Sequence, residues 1–261
     1  MQVQASAAGL SPAQLQELTR LIARELERPW QPARGRPRTL PLGTAVMVTC
    51  MTLRHNMVQE LLAALTGTSQ PTISRILTLL TPLVARVLDE HVPTLQRAQQ
   101  AAAGQVLLVD GTLTPCWSYR DHQELWNGKH KTTGFNIQLV AGLLGNALYI
   151  AGPLPGNTAD PTAYTLTRID TIIEHSGGGL ADKAYHHTGL ITPRKRAWGG
   201  GTLSARDLEC STEHSAIRAP VERAIAHLKT WRILHTDYRR PYATYRDTFN
   251  ATRALFFYTR T

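Results

Sequence analysis

Cysteine is scarce in this chain: Cys50, Cys116 and Cys210 are the only three among 261 residues, odd in number and far apart. That spacing fits neither a disulfide framework nor a zinc site, and it predicts a reduced, cytosolic protein. Long apolar runs are missing as well. No stretch approaches the ~20 residues needed to span a bilayer, and no signal peptide opens the chain, so no membrane partner is expected. Acidic residues fall short of basic ones, 19 against 28, which leaves a formal charge of +9. Lysine is rare among those bases, with 23 of the 28 being arginine. The planar guanidinium suits bidentate phosphate contact, so an anionic partner is implied, nucleic acid first, although GC-rich coding would raise arginine in the same way. An apolar share of 43% belongs to an ordinary globular protein, here long enough for one sizeable domain and a small one. No internal repeat is present.

The N-terminal third reads as helical. In "SPAQLQELTRLIARELER", residues 11–28, a Ser cap and a first-turn Pro precede Leu15, Leu18, Leu21, Ile22 and Leu26 at helical spacing. The following "PWQPARGRPRTLPLG" holds four prolines with Arg34, Arg36 and Arg38, which predicts an extended basic linker over 31–40. Its "RGRPR" core resembles an AT-hook, a peptide that lies in a DNA minor groove; a solvated basic linker is the plainer alternative. Three helices are expected at 44–54, 58–65 and 69–90. Within "QELLAALTGTSQPTISRI", Ala63 is small where two helices would cross, Gly67 suits a positive φ, and Ile73 and Ile76 would anchor the second helix. These offsets resemble a helix-turn-helix over about 56–80. Ser69 would cap the second helix, leaving Gln70, Thr72, Ser74 and Arg75 to face base edges and phosphates. An ordinary helical hairpin is the alternative, and its outer face would more usually carry Glu and Lys.

From residue 104 the period changes. "QVLLVD", "GFNIQLVAGL" and "ALYIAGPLPG" read as three strands, followed by one helix from Asp160 to the Gly177–Gly179 stop, a short strand "GLAD" and a last long helix, "AIRAPVERAIAHLKTWRIL". The first strand, apolar from Val106 to Val109, is expected to be buried on both faces and to end at Asp110 and a Gly111 turn. A carboxylate at the rim of a core needs a hydrogen-bonded turn, a cation or a metal. Two acidic residues match its setting: Asp182 after the short strand, and Glu222 on the last helix, where Arg218, Glu222, Ala226 and Lys229 would share one face. Arg218 and Lys229 on that face are candidate DNA contacts that would clamp the phosphates of the substrate strand on either side of Glu222, and intrahelical ion pairing alone is the alternative. Asp160 reads as a helix cap, and His186 and His187 as solvated loop residues. Lys129, His130, Lys131, Lys183, Arg194, Lys195 and Arg196 are candidate phosphate contacts, each with a solvated-surface alternative. Trp117, Trp126 and Trp198 could stack on an unpaired base or belong to the core.

"VDGT", "GKHKTTGFNIQLVAGLLGNALYIAGPLPGNTAD", "LADKAY" and "RAPVERAIAHLK", in this order, resemble the DDE transposases of bacterial insertion sequences, in particular the insertion-sequence-five-like group. The similarity extends to "RHNMVQELLAALTGTSQPTISRIL", which looks like that group's N-terminal helix-turn-helix, and covers about residues 40–240. The resemblance implies an α/β fold: a ribonuclease-H-like mixed-sheet catalytic domain over 104–261, preceded by an all-α helix-turn-helix domain over 1–95 that binds DNA. It also implies Asp110, Asp182 and Glu222 as a catalytic and metal-binding triad, and the interval 183–221 leaves no room for the large insertion some relatives carry. Of the family's Tyr, Arg, Glu and Lys signature, Arg218, Glu222 and Lys229 fit, whereas Ser215 stands at the Tyr position.

Three carboxylates suit two Mg²⁺ ions, about 4 Å apart and replaceable by Mn²⁺, because in-line phosphodiester displacement needs charge neutralised on both the attacking and the leaving oxygen. The implied activity is binding of terminal inverted repeats, cleavage of 3′ ends and their joining to target DNA. Double-stranded DNA is the implied partner, a homodimer or larger assembly the implied form on DNA, and a cytoplasmic, nucleoid-associated setting the implied location. A transposase-derived DNA-binding protein, and a metal-dependent nuclease without strand transfer, stay open beside it.

Overall fold

The computed structural model describes residues 6–194 and 204–260, which fall into two compact units: residues 1–92 with 228–261, and residues 93–227. The sequence suggested a division near residue 100, with everything beyond it catalytic. The structure instead folds the C-terminal segment with the N-terminal helices.

The first unit is helical. Helix α1, Pro12–Glu25, begins with a capping box in which the Ser11 hydroxyl accepts from Gln14 N at 3.1 Å and Gln14 Oε1 accepts from Ser11 N at 2.9 Å. Leu18 and Ile22 form its buried stripe. Helix α2, Leu42–His55, buries Val46, Val48, Cys50 and Leu53, and ends at Asn56 in the left-handed region. The Asn56 side chain donates to Thr236 Oγ1 at 2.8 Å and to the Asp237 carbonyl at 3.0 Å. Helices α3, Gln59–Thr66, and α4, Gln70–Val87, are joined through Gly67, whose φ of 63° lets its N–H turn back to the Ala63 and Ala64 carbonyls. Ile73 and Ile76 are buried, as their spacing predicted.

The C-terminal helix of this unit (α9 in the numbering below), Tyr245–Tyr258, packs against α4 and buries Phe249, Leu255 and Phe256. Its last residue is tied to α1: Tyr258 Oη donates to the Gln14 carbonyl at 3.0 Å, and Gln14 Nε2 returns a bond to the Tyr258 carbonyl at 3.3 Å.

The second unit carries a mixed sheet. After helix α5, Leu95–Ala102, come β1, Leu107–Pro115, the two-residue β2, Trp126–Asn127, then β3, Thr132–Gly142, and β4, Ala147–Pro155. Helices α6, Asp160–Leu166, and α7, Ile169–Glu174, lead to β5, Gly179–Leu180, and helix α8, Ala205–Leu228, closes the unit. Antiparallel pairing joins β1 to β3 and β3 to β4, with β2 on the β4 side of β3; β5 lies parallel to β1 on its other edge. Leu107, Val109 and Val140 pack with Ala98 and Ala102 of α5, Tyr164 of α6, Ile169 and Ile172 of α7, and Tyr185.

Five local expectations are corrected. Strand β1 does not stop at Asp110 but runs on to Pro115, because Gly111 pairs with Gln138 and the β-favouring Thr112, Leu113 and Thr114 continue the ladder; Val106, expected inside, is 36% exposed. The single helix from Asp160 breaks at Arg168, whose φ is 61°, while the Thr167 hydroxyl donates back to the Ala163 carbonyl at 2.7 Å. Helix α8 ends at Leu228, so Lys229 lies beyond it and Trp231, Ile233 and Leu234 are buried in the next turn. The basic linker, expected to run extended, is closed into a loop by Gln31, which bonds the backbone N–H and carbonyl of Arg38.

Candidate active site

Strand β1 carries the centre of the site, and its two faces do different things. Asp110 turns toward α8: its Oδ2 lies 3.2 Å from Arg218 Nη2, and Arg218 Nη1 reaches to 4.0 Å from Glu222 Oε1 one turn along. The Arg218 side chain is only 8% exposed, whereas that of Glu222 is 60% exposed. Burial pushes the Asp110 carboxyl up to about 6; Arg218 pulls it down, Asp182 pushes it up, the Gly111 N–H at 3.0 Å pulls it down, and Glu222 pushes it up. The charges of Asp182 and Glu222 therefore both reach Asp110. Asp182 follows β5 and is held by the backbone, its Oδ1 accepting from Ala184 N at 2.8 Å.

Gly111 faces the other way, where a Cβ would stand 2.7 Å from both Asp160 Oδ1 and Gln138 Nε2 and 3.0 Å from Tyr185 Oη. Glycine is required by this close approach. The groups it admits form a hydrogen-bonded chain: Tyr185 Oη donates to Gln138 Oε1 at 2.5 Å, Gln138 Nε2 donates to Asn136 Oδ1 at 2.7 Å, and Asn136 Nδ2 donates to Asp160 Oδ1 at 3.1 Å. Gln138, Asn136 and Tyr185 are buried, and burial together with the charges of Asp160, Asp110 and Asp182 holds the Tyr185 phenol well above its ordinary range. Asp160 was read from sequence as a cap. The cap position belongs to Ala159, and Asp160 accepts from Asn136 instead. Sequence reasoning missed Asn136, Gln138 and Tyr185 altogether; a polar Asn and Gln inside an otherwise apolar "FNIQLV" strand was the available signal.

Asp160 and Asp182 line a cleft of about 950 Å³ together with Gly111, Lys129, His130, Lys183 and Arg194. Lys131 is exposed beside it, and Arg194 pairs with Asp207 at 3.3 Å. Lys195, Arg196 and Trp198 lie outside the described residues. Trp117 and Trp126 are 55% and 51% exposed, and His186 and His187 are exposed. Arg218 is the residue whose position differs most from expectation: it is a buried counter-ion to Asp110 rather than a surface clamp. In the helical unit, Arg36, Arg38, Ser69, Thr72 and Arg75 line a separate cleft of about 600 Å³. Arg34 is exposed in the loop and Ser74 is half-buried, while Gln70 is turned aside and donates to Gln59 Oε1 at 2.6 Å. Ser69 stands at the cap position of α4 without capping; its hydroxyl meets Thr72 Oγ1 at 3.0 Å.

The profile of the DDE superfamily endonucleases matches residues 109–256. Such a match takes in Asp110, Asp182 and Glu222 and more than half of the chain, and the protein belongs to this family of transposase-type endonucleases. Among curated proteins, "Putative transposase for insertion sequence element IS112" of Streptomyces albus G is 32% identical over 227 residues, covering 87% of this chain and 83% of that protein. No solved structure matches significantly.

Endonucleases of this superfamily use divalent metals. By chemistry the donors suit a hard cation: Asp110, Asp182 and Glu222 offer carboxylate oxygens, with Arg218 paired to Asp110 and reaching toward Glu222. Among the described residues, no group of three or more Asp, Glu, His or Cys side chains is placed to hold a metal ion, and the Arg218 guanidinium stands beside Asp110.

Proposed function

We propose that this protein is the DNA transposase of an insertion sequence, cutting the 3′ ends of its element and joining them to target DNA at a centre formed by Asp110, Asp182 and Glu222. The observation that carries the reading is Asp110 on the central strand with Arg218 of α8 reaching both it and Glu222, and with Asp182 at the end of the parallel neighbour β5 acting on it, in a chain of the DDE endonuclease family. The strand order, with three antiparallel strands and a parallel one on the free edge of β1, supports a ribonuclease-H-like catalytic fold. Asp110, Asp182 and Glu222 would hold two Mg²⁺ ions, with Mn²⁺ as a substitute, and such ions supply neutralisation of the charge that develops on the attacking and leaving oxygens.

The chain's own groups do the positioning. Asp110 sits mid-strand and Asp182 is fixed by Ala184 N, so neither moves freely. Lys129, Lys183 and Arg194, in the cleft that Asp182 lines, provide cations for the phosphates of the strand being cut, with Lys131 beside them and Lys195 and Arg196 following in sequence. Correct placement of the substrate is worth several kcal/mol of barrier. Terminal-repeat recognition is assigned to the helical unit through residues 34–90, and joining two ends calls for at least two copies on DNA.

The test is a joining assay with element-end duplex, plasmid and Mg²⁺. Wild type is expected to yield covalent insertion products, whereas Asp110→Asn, Asp182→Asn and Glu222→Gln each abolish cleavage and retain end binding. Cleavage without joining would reduce the activity to that of a nuclease. A variant keeping more than a few per cent of wild-type rate would remove that residue from the centre.

A further inference from the structure

We propose that the arginine loop 31–39 and the first turns of α4 form one preassembled seat for the phosphate backbone of duplex DNA, held in shape by Gln31 and Trp30. It rests on the reading that the helical unit binds DNA, and adds which surface grips the backbone and what keeps that surface ordered.

The loop is pinned at two levels. The Gln31 amide behaves like a neighbouring strand, its Oε1 accepting from Arg38 N at 2.9 Å and its Nε2 donating to the Arg38 carbonyl at 3.2 Å. Just outside this clamp, the Trp30 indole N–H donates to the Leu40 carbonyl at 2.8 Å, and both residues are buried. A chain with this many prolines and no regular structure would otherwise sample many conformers; two fixed rungs remove most of that freedom. The Arg38 guanidinium lies 4.4 Å from the centre of the Trp30 ring. A guanidinium held over an indole face keeps its N–H donors for an acceptor, an arrangement suited to phosphate.

Charge points to the same ligand. Residues 31–39 are all exposed, and no acidic residue occurs between Glu27 and Glu60. Arg36 and Arg38 share their cleft with Arg75, Ser69 and Thr72 of α4. Among the described residues, no carboxylate forms an ion pair with any of these three arginines. Three like charges gathered at one cleft repel each other, and polyanion binding relieves that repulsion. Because the arginines come from a loop and from the second helix of a tight two-helix turn, the fitting polyanion is a duplex whose backbone passes beside that helix, which is how such helices are flanked on DNA.

Full-length protein is titrated onto a random-sequence fluorescent duplex over a range of salt concentrations. Each phosphate contact adds about 0.9 to the slope of log affinity against log salt, worth about fivefold in affinity near 0.15 M salt. Arg36→Ala, Arg38→Ala and Arg75→Ala are each expected to lower the slope by about that amount. Gln31→Ala is the decisive variant: it removes no charge, yet it should lower slope and affinity by as much as one arginine, with thermal unfolding unchanged because Gln31 is exposed. If Gln31→Ala matches wild type while the arginine variants weaken binding, the loop acts as a free basic tail and the seat is refuted, with the DNA-binding reading intact. If Arg75→Ala alone leaves the slope unchanged, the joint seat is refuted as well. If no variant changes binding, the DNA-binding reading of this unit falls too.

Discussion

Asp110 is pulled in two directions. Burial and the charges of Asp182 and Glu222 favour its neutral form, and Arg218 with the Gly111 N–H favours the ion, leaving the carboxyl near 6. An unfolded-state value of about 3.9 lies below this, so between roughly pH 4 and 6 the folded protein keeps a proton that the unfolded chain has lost. Stability contributed by this group is therefore present below about pH 4 and falls as pH rises through 6, by up to ~3 kcal/mol at 1.36 kcal/mol per unit. In the presence of a chelator, Asp110→Asn is expected to be more stable than wild type at pH 7.5 by up to that amount, with the difference vanishing near pH 4. Urea unfolding at the two pH values checks this. A less stable variant at neutral pH would mean that pairing with Arg218 outweighs burial. Asp110, Asp182 and Glu222 were visible as candidates because each follows or sits on a recognisable element. Arg218 was legible as a cation but not in its role, because helical spacing gives the face and not the depth at which a side chain ends. Asp160 was misassigned for a related reason: a Pro after an acid suggests a cap, and only the fold brings Asn136 opposite it.

Among the elements, β1 departs most instructively from its sequence pattern. An Asp-Gly pair after four apolar residues signals a turn, yet here glycine serves close packing within a strand that continues past it. Gly111→Ala would drive a methyl into Asp160, Gln138 and Tyr185, and overpacking of this kind costs about 1–3 kcal/mol. We expect a lowered urea midpoint with unchanged m-value, and loss of cleavage in step with any shift of Asp160, whereas Gly104→Ala, with no atom within 4 Å of the added carbon but a φ of 69°, should cost backbone strain alone and spare cleavage. Helix ends with chemical punctuation, such as Ser11 and Gly67, were readable within a few residues. The break at Arg168 was not, since neither Pro nor Gly marks it and a threonine back-bond with a left-handed arginine produces it.

For the whole molecule, the sequence order of strands and helices predicted a mixed α/β region and a helical N-terminal region, and both are present. It did not reveal that the helical unit borrows its last helix from the far end of the chain. The aromatic run "ALFFY" signals a buried helix but not its partner, because amphipathic periodicity carries no address. A fragment of residues 1–95 would expose the α4 surface that α9 covers. That fragment is expected to melt without cooperativity, and addition of a peptide of residues 228–261 to restore a cooperative transition by circular dichroism. A cooperative melt of 1–95 alone would show that α9 is dispensable.

The reciprocal bonds between Gln14 and Tyr258 carry this arrangement into biosynthesis. A ribosome must pass every codon of the carboxylate centre before the residues that complete the helical unit emerge. A nascent chain therefore cannot present a finished helical unit ahead of its nuclease segment, and a message truncated anywhere before α9 yields a product with its first helices unsealed.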